Sequence, residues 1–114
     1  MENTIVQKSF AFAIRIVNLY KYLRSTKREY VLSKQLLRSG TSIGANVTEA
    51  EQAQSRADFI SKLNIALKET VETDYWLRLL YETNYLTSAQ FSSMQIDCIE
   101  LKKLLVSIVK SSKN

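Results

Sequence analysis

Residues Leu36 to Glu51 read LLRSGTSIGANVTEAE, and the spacing inside this stretch decides the fold. Leu36, Gly40, Ile43, Val47 and Ala50 recur at alternating steps of four and three, the apolar seam of a packed helix. Beside it, at the same spacing, runs a polar seam: Gln35, Ser39, Ser42, Asn46 and Glu49. A helix with a polar stripe next to its apolar one must carry part of that stripe into the assembly. Gly40 and Gly44 lie one turn apart, and each costs a helix about 1 kcal/mol relative to alanine. Two readings explain them: close approach of a neighbouring backbone, or a local break in the helix.

These are the only two glycines, and the chain has no proline. Helix formers dominate the rest, which predicts one all-α domain over residues 1–114, large enough for its own core. Cys98 sits at a core spacing with no second cysteine to pair with, which points to a reducing compartment. Neither a signal peptide nor an apolar run of spanning length is present, so the expectation is a soluble, cytoplasmic protein with no membrane partner.

Four stretches pair a hydroxyl with a carboxyl or amide three residues on, the reciprocal capping pattern at a helix start. They begin at Thr4, Thr26, Ser55 and Thr87. They predict helices over 5–24, 27–53, 56–83 and 88–110. The joints, Ser25-Thr26, Gln54-Ser55 and 84–87, are short. Short joints force neighbours to run antiparallel, hence an up-down-up-down four-helix bundle.

The first helix carries two apolar stripes: Val6, Phe10, Ala13, Val17 and Tyr20, then Phe12, Ile16, Leu19 and Leu23. One reading is a wide core face. The other assigns part of this surface, with Phe12, Ile16 and Leu19, to a contact with another subunit. The third helix places Phe59, Leu63, Ala66, Leu67, Thr70, Leu77 and Leu80 in the core. The fourth has a clean seam of Phe91, Met94, Cys98, Leu101, Leu105 and Ile108, followed by a polar tail, 110–114, expected to fray.

The chain has no histidine. That removes the commonest general base, the Ser-His and Cys-His nucleophile arrangements and the usual zinc ligand sets. No phosphate-loop or dinucleotide motif calls for a cofactor. Glu49, Glu69, Glu72 and Asp74 form the one candidate acidic group. Dinuclear sites in four-helix bundles use Glu-x-x-His pairs, which cannot exist here, so no metal is expected. The alternative is a structural polar network of Ser42, Asn46, Glu49, Glu69 and Glu72, bonding neighbouring helices and fixing their register. On this reading Asn46 and Glu49 are buried. Trp76 reads as a core or interface anchor before it reads as a stacking platform. With no catalytic set, no enzyme is expected.

Charge is unevenly distributed. From Asn3 to Arg38 there are eight bases against Glu29 alone, +7, whereas the whole chain carries +5. Six of the bases, Lys21, Arg24, Lys27, Arg28, Lys34 and Arg38, surround the turn between the first two helices. A solvated face without a partner and a surface for an anionic partner both fit, and nucleic acid is the obvious anion.

The run from Arg38 to Ala50, RSGTSIGANVTEA, resembles the bacterial four-helix bundle proteins called 23S rRNA-intervening sequence proteins. Ser55, Asp58, Phe59, Lys62, Leu63, the IALKE run to Glu69, Glu72 and the YWL run to Leu77 extend the likeness over nearly the whole chain. Relatives include the accessory protein of diversity-generating retroelements, which partners a reverse transcriptase. The resemblance implies an antiparallel bundle that assembles into a five-subunit ring with a positively charged surface. The combined expectation is a non-enzymatic homo-oligomer, its pentameric state being implied by the resemblance alone. It would bind RNA or DNA, or an enzyme acting on them, through its basic N-terminal third. The competing expectation is a structural oligomer whose partner is another protein.

Overall fold

A computed structural model describes residues 3–113. They form four helices: α1 (Asn3–Ser25), α2 (Leu32–Ala50), α3 (Arg56–Glu82) and α4 (Ser88–Ser112). The bundle measures 45 × 20 × 19 Å. Contacts run α1 to α2, α2 to α3, α3 to α4, and more lightly from α4 back to α1.

Pairing between helices gives their directions. Ser9 of α1 faces Gly44 and Ile16 faces Gly40. Arg38 reaches Glu69 and Glu72, whereas Glu49 reaches Lys62. Thr70 meets Cys98, and Asp74 meets Gln95. Lys8 bonds Glu100, and Arg15 bonds Asp97. In every pair one number rises as the other falls, so each helix is antiparallel to its neighbours. The expected all-α, up-down-up-down bundle is the observed one.

The seam of α2 is buried as its spacing predicts: Leu36, Gly40, Ile43, Val47 and Ala50 are all inside. The helix is unbroken through both glycines, which decides between the two readings. A Cβ at Gly40 would lie 2.6 Å from Ile16 Cγ1, and one at Gly44 would lie 3.2 Å from the Ser9 carbonyl oxygen. The glycines let α1 lie against the backbone of α2.

Two of the four expected start signals act as caps. The Ser55 hydroxyl accepts the Asp58 N–H at 3.0 Å. Thr87 and Gln90 form a full reciprocal capping box. At the first signal the helix is already under way from Asn3, so Thr4 lies inside it.

The Thr26 signal is a correction. Helix α2 starts at Leu32, five residues later than predicted, because Glu29 is itself the cap. Arg28 adopts a left-handed φ of 54° and turns the chain. The Glu29 carboxylate then accepts the N–H groups of Val31, Leu32 and Ser33, at 2.6 to 3.1 Å. Thr26 instead closes α1, its N–H donating to the Tyr22 carbonyl.

Helix α2 also stops earlier than predicted, at Ala50, with single-turn bonds covering 51–53. Helix α3 ends in a Schellman motif. Asn84 has a φ of 71°, the Tyr85 N–H bonds the Leu80 carbonyl, and the Asn84 N–H bonds that of Tyr81. The tail of α4 stays helical to Ser112, where the Ser112 hydroxyl donates to the Ile108 carbonyl.

Candidate nucleic-acid interface

The six predicted bases do not stay together. Lys21 and Arg24 end α1, Lys27 and Arg28 form the turn, and Lys34 stands exposed in the first turns of α2. Arg38, one turn further along α2, is held by α3. Its guanidinium donates to Glu69 at 2.9 Å and to Glu72, and the Trp76 indole N–H donates to the same Glu72 carboxylate at 3.0 Å. Hydrogen bonding to Glu69 and then Glu72 raises the Arg38 pKa further. The Trp76 and Arg38 donors, in that order, hold Glu72 below the usual carboxylate range against the opposing effect of burial. Arg38 is therefore a neutralised link between α2 and α3, apart from the basic corner.

Lys8 and Arg15, the remaining bases of the N-terminal third, are paired with Glu100 and Asp97 of α4. What is left is the corner around the α1–α2 connection, with Lys21, Arg24, Lys27, Arg28 and Lys34, none of them in an ion pair among the described residues. The one acid there, Glu29, is buried and turned inward as the α2 cap. Burial pushes its carboxyl up, but the N–H groups of Leu32, Ser33 and Val31 together with the Ser33 hydroxyl outweigh it, and the net pKa is lowered. Glu29 thus stays ionised without facing solvent. Arg24 is half-buried, its guanidinium carbon 5.4 Å from the Tyr20 ring centre and 5.2 Å from that of Tyr30.

The polar seam of α2 divides. Ser39 is fully buried and accepts a 3.0 Å hydrogen bond from the Thr73 hydroxyl of α3. Ser42 and Asn46 are half-buried and bond carbonyls of their own helix, Arg38 and Ser42. Glu49, expected to be buried, is 58% exposed and pairs with Lys62 at 2.9 Å. Ser42 and Asn46 therefore do not tie neighbouring helices together; Ser39, Arg38 and Glu49 do. The fully buried position fell to one of the seam's two serines, because a hydroxyl can be satisfied by one partner and a carboxylate cannot. Among the described residues no three Cys, Asp or Glu side chains cluster as metal ligands.

The stripe expected at subunit contacts is also corrected. Phe12 and Ile16 are 2% and 0% exposed within the single chain, and Leu19 is half-buried against the same core. Of the other stripe only Phe10 is exposed, at 68%, with neighbouring Ile14 at 50%, while Val6 packs against the core.

The sequence reading missed a second surface. Val71, Ile99 and Val106 line a groove of about 590 Å³ between α3 and α4, with Lys102, Lys103 and Lys110 along it. The signal was there: Ile96, Ile99, Lys103, Val106 and Lys110 repeat the three-four spacing of the α4 core seam, one face round. Cys98 lies beneath, 1% exposed, its Sγ 3.3 Å from the Thr70 carbonyl. No helix of the described residues is long and apolar enough to cross a membrane.

The family model for the 23S rRNA-intervening sequence protein matches residues 1–107. The chain belongs to that family. A crystal structure of a protein of unknown function from the S23 ribosomal protein family of Bacteroides thetaiotaomicron VPI-5482 is 63% identical. The match covers 93% of this chain and 98% of that one, with a TM-score of 0.92. No curated protein matches the chain. Family membership agrees with the resemblance read from the RSGTSIGANVTEA run, and it fixes the fold without stating a function.

Proposed function

We propose that this four-helix bundle is a non-enzymatic, cytoplasmic homo-oligomer that binds the phosphate backbone of RNA or DNA, alone or beside an enzyme acting on it. One observation carries the reading: five bases without an ion pair among the described residues surround the α1–α2 connection, and Glu29, the one acid of that stretch of chain, is withdrawn into a helix cap. A phosphate brought there meets positive charge, and Glu29 does not compete for it. Backbone contacts carry little sequence information, so binding is expected to be broad. The exposed Phe10–Ile14 surface of α1 and the groove of α3 and α4 support self-association. A closed ring uses two different patches on each subunit, and five copies would present the corner repeatedly.

The test is a fluorescence-anisotropy titration with mixed-sequence RNA and DNA at low and near-physiological salt. Affinity should fall steeply with salt as counterions are released. Replacing Arg24, Lys27 and Arg28 with glutamine should weaken binding and flatten the salt slope by roughly one unit per lost phosphate contact. Arg38→Gln, outside the corner, should leave both unchanged. No binding at low salt, or identical curves for wild type and triple variant, would favour the second reading. In that reading the chain is a protein-interaction module, and the apolar, lysine-lined groove of α3 and α4 supports it.

A further inference from the structure

The corner contains more than charge. Arg24 lies between two aromatic rings, Tyr20 one turn before it on α1 and Tyr30 in the connection to α2. Tyr30 is 48% exposed, and Val31 beside it is 69% exposed. The segment carrying them is held at both ends. The Glu29 N–H bonds the Leu23 carbonyl at 2.9 Å, and the Glu29 carboxylate takes the Val31 and Leu32 N–H groups. A large aromatic residue is thereby kept at the surface on a fixed backbone, backed by a planar cation and a second ring.

Resting on the nucleic-acid reading, we infer that Tyr20, Arg24 and Tyr30 form a stacking platform for unpaired nucleobases, so that this corner takes single-stranded RNA or DNA in preference to duplex. Every base offers a π-face to an aromatic ring or a guanidinium plane, so such stacking tolerates any sequence. Paired bases bury those faces within their own stack and cannot reach Tyr30. Lys21, Lys27, Arg28 and Lys34, all exposed and close to the platform in the chain, would hold the phosphates on either side of a splayed base. Charge alone would not distinguish a single strand from a duplex in this direction, because the duplex carries the denser phosphate array.

The full chain is titrated by anisotropy with a single-stranded oligonucleotide, the same sequence as a blunt duplex, and an abasic oligonucleotide of equal length. The expected result is tighter binding of the single strand than of either other probe. Tyr30→Ala should lower single-strand affinity by about fivefold or more, while duplex and abasic binding stay within about twofold. Tyr30→Phe should restore single-strand affinity, because it keeps the ring and loses only the hydroxyl. Tyr30 is exposed, so both variants should retain the wild-type helical circular dichroism.

Equal wild-type affinity for single strand and abasic probe overturns the platform and leaves backbone binding standing. So does an equal loss on all three probes in Tyr30→Ala. Absence of binding to every probe at low salt overturns the platform and the nucleic-acid reading together.

Discussion

Gly40 lies so close to Ile16 that a methyl group added there would sit 2.6 to 2.9 Å from three of its side-chain carbons. Ile16 is fully buried among the core side chains. Gly40→Ala gains about 1 kcal/mol of helix propensity. Overpacking a tight core costs about 1–3 kcal/mol, so the net change should be destabilising. The check is a double-mutant cycle by chemical denaturation. Ile16→Ala alone should cost about 2–5 kcal/mol, and combining it with Gly40→Ala should cost less than the sum of the two.

Glu29 predicts a pH dependence. Its folded pKa is lowered from 4.5, so its contribution is present above that value and is lost as pH falls through the folded pKa. Glu29→Gln should therefore destabilise the bundle at neutral pH by about 1–2 kcal/mol, the usual range for a lost cap. The gap between variant and wild type should narrow below about pH 4 as the wild-type carboxyl also becomes neutral. Thermal melts of both proteins from pH 7 to pH 3 measure it. A gap that stayed constant with pH would assign the stabilisation to shape and not to charge.

The two stripes of α1 should respond differently to charge. Phe12→Glu and Ile16→Glu place a carboxylate in the core and should unfold the chain, since a buried unpaired charge costs several kcal/mol. Phe10→Glu should leave the helical circular dichroism and melting of the single chain nearly intact. If Phe10 lies at a subunit contact, it should shift the particle to monomer in light scattering. A monomer in the wild type at micromolar concentration would remove the ring from the proposal.

Cys98 should be chemically silent in the native state. Burial in the α3–α4 core, with the charge of Asp74 adding to it, pushes its thiol up to about 12. Thiolate is the reactive form, so labelling by a thiol reagent at pH 8 should wait for unfolding. Burst labelling of native protein, compared with denatured protein, would show that α3 and α4 part readily at this point.

The sequence by itself determined the helices, their number, their antiparallel order and the α2 seam. All of these follow from local spacing and short joints, which act before any long-range contact forms. Ser55 and Thr87 cap α3 and α4 because a cap bonds residues only three apart. The start of α2 escaped the same logic: the Thr26–Glu29 pattern fits a cap, but the left-handed turn at Arg28 let Glu29 take that role. Tertiary structure alone decided what lay between helices. Two stripes at the same spacing on α1 are equivalent until a neighbour is chosen, and Gly40 chose Ile16, leaving Phe10 outside. Likewise, position in the chain grouped Arg38 with the basic corner. Packing gave it partners in Glu69 and Glu72 on α3, and partners on another helix exist only once that helix is in place.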